Sequence, residues 1–319
     1  MEFVAKYYDW LLIAGGLVGL FLGGEALVRG SVAVADRLRL PKLLVGLTIV
    51  GFGTSMPELM VSLKAVQSGA PDVAVGNVIG SNIANILLIL GLGALIRPLS
   101  TRARGIRRDT TVMVLVTLGL GYFGWRGGIT QIEGAAMAGI LLVYVLCVFV
   151  IDRKAVLPAP EASKPLAAPV ALTFIAIGLG ALIFGADALV RGATTIATEF
   201  GVSQAVIGLT LVAVGTSLPE LTVSVISAIK GQNELAIGNV VGSNIFNVLA
   251  VLGITAAIAP VSIDPLFLKV DVPLVVGAAL LFWVLMLAKP KLGRMSALGS
   301  LATYGAYVAW LIAGSAPGS

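Results

Sequence analysis

The sequence contains no histidine and a single cysteine, Cys147, set within an apolar run and expected to be buried. Such a chain forms no internal disulfide, ligates no zinc or haem through histidine and runs no histidine-based catalytic triad. Charge is scarce as well. Asp, Glu, Lys and Arg supply 12% of the 319 residues, about half the share usual in soluble domains. Hydrophobic side chains make up 58% of the chain, and the mean hydropathy is +1.03. So little polar surface cannot cover a globule in water, which excludes a soluble fold and implies an integral membrane protein.

Apolar runs separate at charged and Pro/Gly-rich breaks into ten candidate spans, roughly 10–29, 43–67, 73–96, 110–125, 134–151, 169–191, 205–229, 235–259, 270–288 and 295–313. The connections are too short to hold a core of their own. Alternate connections carry Arg29, Arg37, Arg39 and Lys42, then Arg97, Arg102, Arg104, Arg107 and Arg108, then Arg153, Lys154 and Lys164, then Lys230, and finally Lys289, Lys291 and Arg294. The other side holds only Lys6, Lys64, Arg126, Arg191 and Lys269. The basic excess marks the cytoplasmic side, so both termini are expected to face outward. The pI near 9.4 is then a topology signal rather than a nucleic-acid surface. Glu2, Lys6 and Asp9 make a poor signal-peptide start, and no cleavable signal is expected.

The chain repeats itself. Residues 45–62, VGLTIVGFGTSMPELMVS, match residues 207–224, IGLTLVAVGTSLPELTVS, at 12 of 18 positions. Residues 76–91, GNVIGSNIANILLILG, match residues 238–253, GNVVGSNIFNVLAVLG, at 11 of 16. EALVRG at 25–30 answers DALVRG at 187–192, and all three pairs share an offset of 162 residues. Apolar composition alone does not align Gly, Thr, Ser, Pro, Glu and Asn. Five spans fit within the offset, an odd number, so the second copy enters the membrane from the opposite side. The expected fold is all-α, with ten transmembrane helices in two inverted repeats, 1–151 and 169–319, joined by a cytoplasmic linker at 152–168.

Four acidic residues fall within these spans: Glu25, Glu58, Asp187 and Glu220. Glu25 and Asp187 each have an arginine four residues on, Arg29 and Arg191, and are expected to be neutralised by it. Glu58 and Glu220 have no basic residue within one turn. A charge at the bilayer centre costs on the order of 3 kcal/mol, which makes both functional candidates. Pro57 and Pro219 deprive the carbonyls of Gly53 and Gly215 of their helical donors. Each motif thus gathers backbone carbonyls, two hydroxyls (Thr54 and Ser55; Thr216 and Ser217) and one carboxylate. The second motif adds Ser81 and Asn85, or Ser243 and Asn247, spaced i, i+4 on one face. Asn77, Asn82, Asn239 and Asn244 stand nearby to satisfy freed backbone groups. An all-oxygen donor set suits hard cations such as Ca²⁺, Na⁺ or Mg²⁺.

GTSMPE with GNVIGSNIAN, and GTSLPE with GNVVGSNIFN, resemble the two alpha-repeats of the calcium/cation antiporter superfamily, with the nearest likeness to prokaryotic sodium/calcium exchangers. The likeness covers essentially the whole chain, with the repeats at 51–91 and 213–253. It implies a multi-pass protein of a prokaryotic plasma membrane. It further implies a calcium site of Glu58, Glu220 and the main-chain oxygens of Thr54 and Thr216. Sodium would use the same glutamates with Ser55, Ser217, Ser81, Ser243 and the backbone at Gly51 and Ala213, and Asn85 and Asn247 would complete the centre. Some members carry Asp where this chain has Asn247, and Asn there argues against potassium co-transport. Spans 1 and 6, rich in glycine, would slide across this core.

The resulting expectation is an antiporter that exchanges Na⁺ for Ca²⁺ by alternating access. The alternative is a calcium/proton exchanger in which the same glutamates carry H⁺. A channel or an intramembrane enzyme finds no support in these motifs, and no cofactor, nucleic acid or protein partner is implied beyond the ions and the lipid bilayer.

Overall fold

The computed structural model describes residues 2–102, 105–153, 166–200 and 213–314. Helices α1 (Glu2–Leu38), α2 (Lys42–Thr54), α3 (Met56–Gln67), α4 (Pro71–Ile96), α5 (Ile106–Arg126) and α6 (Gln131–Arg153) form the first half. The second half has α7 (Ala168–Glu199), α8 (Ala213–Thr216), α9 (Leu218–Ile229), α10 (Asn233–Ile258), α11 (Asp271–Ala288) and α12 (Arg294–Gly314). Among the described residues seven helices are long and apolar enough to cross a membrane, or eight if the bent pair α2–α3 counts as one span. The expected span at 205–229 begins outside the described residues.

The first helix is far longer than the run expected at 10–29. Nothing in it breaks a helix until the chain reaches Arg39, which holds the left-handed φ of +51°, and Pro41 behind it. Helices α1 and α7 have 37 and 32 residues, about 55 and 48 Å at 1.5 Å per residue, so both exceed a hydrocarbon core about 30 Å thick and must lie tilted. They pack on each other through glycine. A Cβ on Gly178 would sit 2.6 Å from the Leu27 nitrogen, and one on Gly23 would sit 2.9 Å from the Gly178 carbonyl oxygen. Only missing side chains let the two backbones approach so closely.

The expected span at 43–67 is broken. It bends by 40° between Thr54 and Met56. Ser55 at the break has φ −83° and ψ 6°, and Ser217 in the second copy has φ −89° and ψ 6°. Pro57 and Pro219 stand at the start of the helix that follows, where a missing N–H costs nothing. Helices α4 and α10 each contain a widened, π-type turn, at Ala84–Ile89 and Asn247–Leu252. Such turns displace side chains from the regular helical register and recur at functional sites.

Two short antiparallel ladders tie the halves together. Strand β1 (Leu99–Ser100) pairs with β4 (Lys291–Leu292), with Leu99 opposite Leu292. Strand β2 (Gly128–Ile129) pairs with β3 (Val261–Ser262), with Ile129 opposite Val261. Strands β1 and β3 are 162 residues apart and β2 and β4 163, so the two ladders correspond to within one residue of the repeat offset. One apolar cluster lies among α4, α5, α10 and α11, and a second joins α1, α2 and α7. Outside them, Trp10, Phe21, Leu115, Trp125 and Phe184 are exposed, as a lipid-facing surface requires.

Two expectations about single residues are corrected here. Cys147 is exposed rather than buried, because it falls on the outer face of α6. Glu25 does not pair with Arg29. Its carboxylate takes the Lys230 ammonium, at the end of α9, while the Arg29 guanidinium lies 5.3 Å from the centre of the Phe174 ring. Asp187 and Arg191 do pair along α7, at 2.9 Å.

Candidate functional site

The breaks at Ser55 and Ser217 bring the two Thr-Ser-X-Pro-Glu stretches together in the protein interior. Glu58 and Glu220 are fully buried, at 0% exposure, in the first turn of the proline-marked helices α3 and α9. Neither carboxylate has a basic partner among the described residues, where the five ion pairs lie elsewhere. Removing an unpaired carboxylate from water costs several kcal/mol. The surrounding hydroxyls and amides offset part of that cost.

The partners cross between the two motifs. The Ser55 hydroxyl donates to Glu220 Oε1 at 3.1 Å, and the Ser217 hydroxyl donates to Glu58 Oε1 at 3.2 Å. Ser81 and Ser243, from α4 and α10, stand 3.5 Å from the same two oxygens. The Thr54 hydroxyl is 3.2 Å from Asn239 Oδ1, and the Thr216 hydroxyl is 3.4 Å from Asn77 Oδ1. Each Thr-Ser pair thus serves the Glu and Asn of the other half.

Asparagines hold the backbone around the glutamates. Asn77 Nδ2 donates to the Glu58 carbonyl at 3.1 Å and to the Ser62 hydroxyl at 3.0 Å. Asn239 Nδ2 donates to the Glu220 carbonyl at 3.2 Å and to the Ser224 hydroxyl at 2.9 Å. These are the backbone-satisfying roles expected for Asn77 and Asn239. The other pair departs from symmetry: Asn82 donates to the Asn244 carbonyl at 3.3 Å, whereas Asn244 donates to Val240 in its own helix at 2.7 Å. Asn247 Nδ2 donates to Asn82 Oδ1 at 3.0 Å. The Gly51 carbonyl accepts from the Ser243 hydroxyl at 3.4 Å. Ala213 opens the described part of the second motif.

Five buried oxygens of the repeated motifs lack a hydrogen-bond donor: Glu58 Oε2, Glu220 Oε2, Asn85 Oδ1, Asn244 Oδ1 and Asn247 Oδ1; Asn85 Nδ2 likewise lacks an acceptor. Buried polar atoms are nearly always paired, so a set of orphaned acceptors on the helices that follow the two breaks and on α4 and α10 asks for a positive group. Every atom of the set is oxygen. Among the described residues no cluster of three or more His, Cys, Asp or Glu exists, so a soft-metal centre has no ligands here. Two carboxylates with neutral hydroxyl, amide and main-chain oxygens fit one divalent or two monovalent hard cations.

Ser62 and Ser224 were not among the residues expected to matter. Both close the repeated segments, at positions where the copies agree, so the repeat itself carried the signal. A second cluster escaped notice altogether. Arg108 donates to Asp109 at 2.7 Å and to Asp152 at 2.9 Å, and the Tyr144 hydroxyl donates to Asp109 at 3.0 Å. Its counterpart is the Tyr307 hydroxyl donating to Asp271 at 2.7 Å. These contacts clamp α5 to α6 and α11 to α12, away from the glutamates.

Comparison with known proteins agrees with this architecture. The family model described as "Sodium/calcium exchanger protein" matches residues 8–150 and 170–313. The putative antiporter CaxA of Alkalimonas amylolytica is 40% identical over 299 residues, covering 90% of this chain and 92% of its own. The sodium/calcium exchanger MaX1 of Methanosarcina acetivorans is 28% identical, covering 86% of this chain and 90% of its own. A solved structure of the sodium-calcium exchanger NCX_Mj superposes with a TM-score of 0.84 at 29% identity, covering 95% of this chain and 98% of that one. Its helical, membrane-embedded fold is shared by this protein. The chain is a transmembrane antiporter belonging to the sodium/calcium exchanger family.

Proposed function

We propose that this protein is a secondary-active antiporter that exchanges Na⁺ for Ca²⁺ at a midplane site built around Glu58 and Glu220. The observation that carries the reading is the pair of fully buried, unneutralised carboxylates whose outer oxygens, with those of Asn85 and Asn247, lack donors. Calcium would take both glutamates and the main-chain oxygens of Thr54 and Thr216. Sodium would take the same glutamates with Ser55, Ser217, Ser81 and Ser243, the backbone at Gly51 and Ala213, and Asn85 and Asn247 at the centre. Because both ions need the same two carboxylates, binding of one excludes the other, and the empty site, carrying two uncompensated charges, is costly to move.

The architecture belongs to the same proposal. Ten transmembrane helices form two inverted repeats of five, 1–151 and 169–319, with the linker at 152–168 on the cytoplasmic side and both termini outside a prokaryotic plasma membrane. The crossed hydrogen bonds between residues about one repeat apart support it. So does the exchange of ladder partners at offsets of 162 and 163 residues. Helices α1 and α7, in contact through their glycines, are the elements that would slide across the core to open one side at a time.

Radiocalcium uptake into proteoliposomes tests this reading. Uptake that requires Na⁺ inside the vesicle and disappears in Glu58→Gln and Glu220→Gln supports it. Uptake driven by a pH gradient without Na⁺ moves the function to calcium/proton exchange on the same glutamates.

A further inference from the structure

A cavity lies where the start of α5 meets the end of α11, lined by none of the glutamate-site residues. Its volume is about 580 Å³ and its lining includes Arg102, Arg107, Arg108 and Lys289. Its described edges are joined by hydrogen bonds. The Thr101 hydroxyl donates to the Lys289 carbonyl, the Thr101 amide donates to the Pro290 carbonyl at 3.2 Å, and the β1–β4 pairing follows directly. Arg108 is committed to Asp109 and Asp152 behind the wall. Arg102, Arg107 and Lys289 are exposed and have no carboxylate partner among the described residues. Taking the Arg108 cluster as one cation against two carboxylates, the neighbourhood keeps a net positive charge.

The cavity also has an apolar exit. Leu280, Val284 and Leu287 lie on one face of α11, at spacings of four and three residues, and all are exposed. That stripe runs along the helix to the cavity rim at Leu287 and Ala288. A cationic pocket that opens onto an apolar helix face, at the end of a transmembrane segment, has the chemistry of a phosphate group carrying acyl chains. On the orientation proposed above, this face meets the cytoplasmic leaflet, which holds anionic lipid. We propose that Arg102, Arg107 and Lys289 form a binding site for the headgroup of an anionic phospholipid, with its chains along Leu280, Val284 and Leu287.

The test uses the full-length protein in mixed micelles of phosphatidylglycerol and phosphatidylcholine, with bound lipid counted by native mass spectrometry. The wild-type chain retains phosphatidylglycerol in preference to phosphatidylcholine. The triple variant R102Q/R107Q/K289Q weakens that retention about a hundred-fold, and K289Q alone about five-fold, the loss expected for one surface cation each. K289R, which keeps the charge, retains the lipid as the wild type does. K289Q serves if the triple variant does not fold, because the Lys289 side chain is exposed and makes no bond among the described residues. Equal retention of the two lipids by the wild type overturns the proposal, as does unchanged retention in K289Q. Inorganic phosphate marks the source: failure to displace the lipid supports a headgroup held with its chains, and full displacement overturns it in favour of a soluble anion.

Discussion

The Lys230 ammonium reaches across from the end of α9 to the Glu25 carboxylate in the middle of α1. This ion pair connects the long tilted helix to the helix that carries Glu220. Both side chains are more than a third exposed, so the pair is worth at most about 1 kcal/mol in stability. Its interest is kinetic, since a slide of α1 must break it. Glu25→Gln and Lys230→Gln should each change the exchange rate while leaving calcium affinity intact, and the double variant should match either single one. Rate effects that simply add would show that the pair does not act as a unit.

The crossed hydroxyls make a separate claim. Ser55→Ala and Ser217→Ala should each lower calcium affinity by about ten-fold or more, the loss expected for a hydrogen bond to a charged group. Because each serine serves the opposite glutamate, Ser55→Ala combined with Glu220→Gln should cost no more than Glu220→Gln alone. Isothermal titration on the purified variants reads this directly. A cost of Ser55→Ala that persists on the Glu220→Gln background and vanishes on the Glu58→Gln background would show that the serines serve their own motif.

Acid should inhibit exchange. A protonated Glu58 or Glu220 carries no charge for either ion, so calcium uptake driven by a fixed sodium gradient should fall as the medium goes from neutral to mildly acid. A flat response over that range would remove the carboxylates from the rate-determining ion contact.

Gly178 separates sliding from binding. Gly178→Ala places a methyl 2.6 Å from the Leu27 nitrogen, closer than any real contact, so α1 and α7 must move apart. Exchange should slow while equilibrium calcium binding at the glutamates persists, as measured by flux and by titration on the same sample.

Arg39 is the one non-glycine residue at positive φ among the described residues, at +51°. Glycine occupies that conformation freely, whereas an L side chain there costs about 1 kcal/mol. Arg39→Gly should therefore raise the midpoint of thermal unfolding. A lowered midpoint would mean that the arginine side chain makes a larger contribution than the strain it carries.

Much of this was legible in the sequence because the information was local and duplicated. Two copies of Thr-Ser-X-Pro-Glu singled out Glu58 and Glu220, which the fold buries, whereas the breaks at Ser55 and Ser217 interrupt what read as continuous spans. Partnership across the fold was not legible. Ser55 lies three residues from Glu58 yet bonds Glu220, because a break in the helix redirects its side chain toward the other motif. Glu25 stands one turn from Arg29 yet pairs with Lys230, since spacing along a helix says nothing about what packs against it. The Tyr144–Asp109 and Tyr307–Asp271 clamps join residues 35 and 36 positions apart with no common motif, and only the packing of neighbouring helices reveals them.

The two short ladders carry a consequence for how the chain is held as one body. Each pairs a loop of one half with a loop of the other, so the halves are hooked together twice, by backbone contacts that do not depend on the peptide joining them. A protein made as two separate polypeptides, cut within 152–168, should still assemble in the membrane and still exchange ions. In that respect the molecule resembles a dimer of half-length subunits.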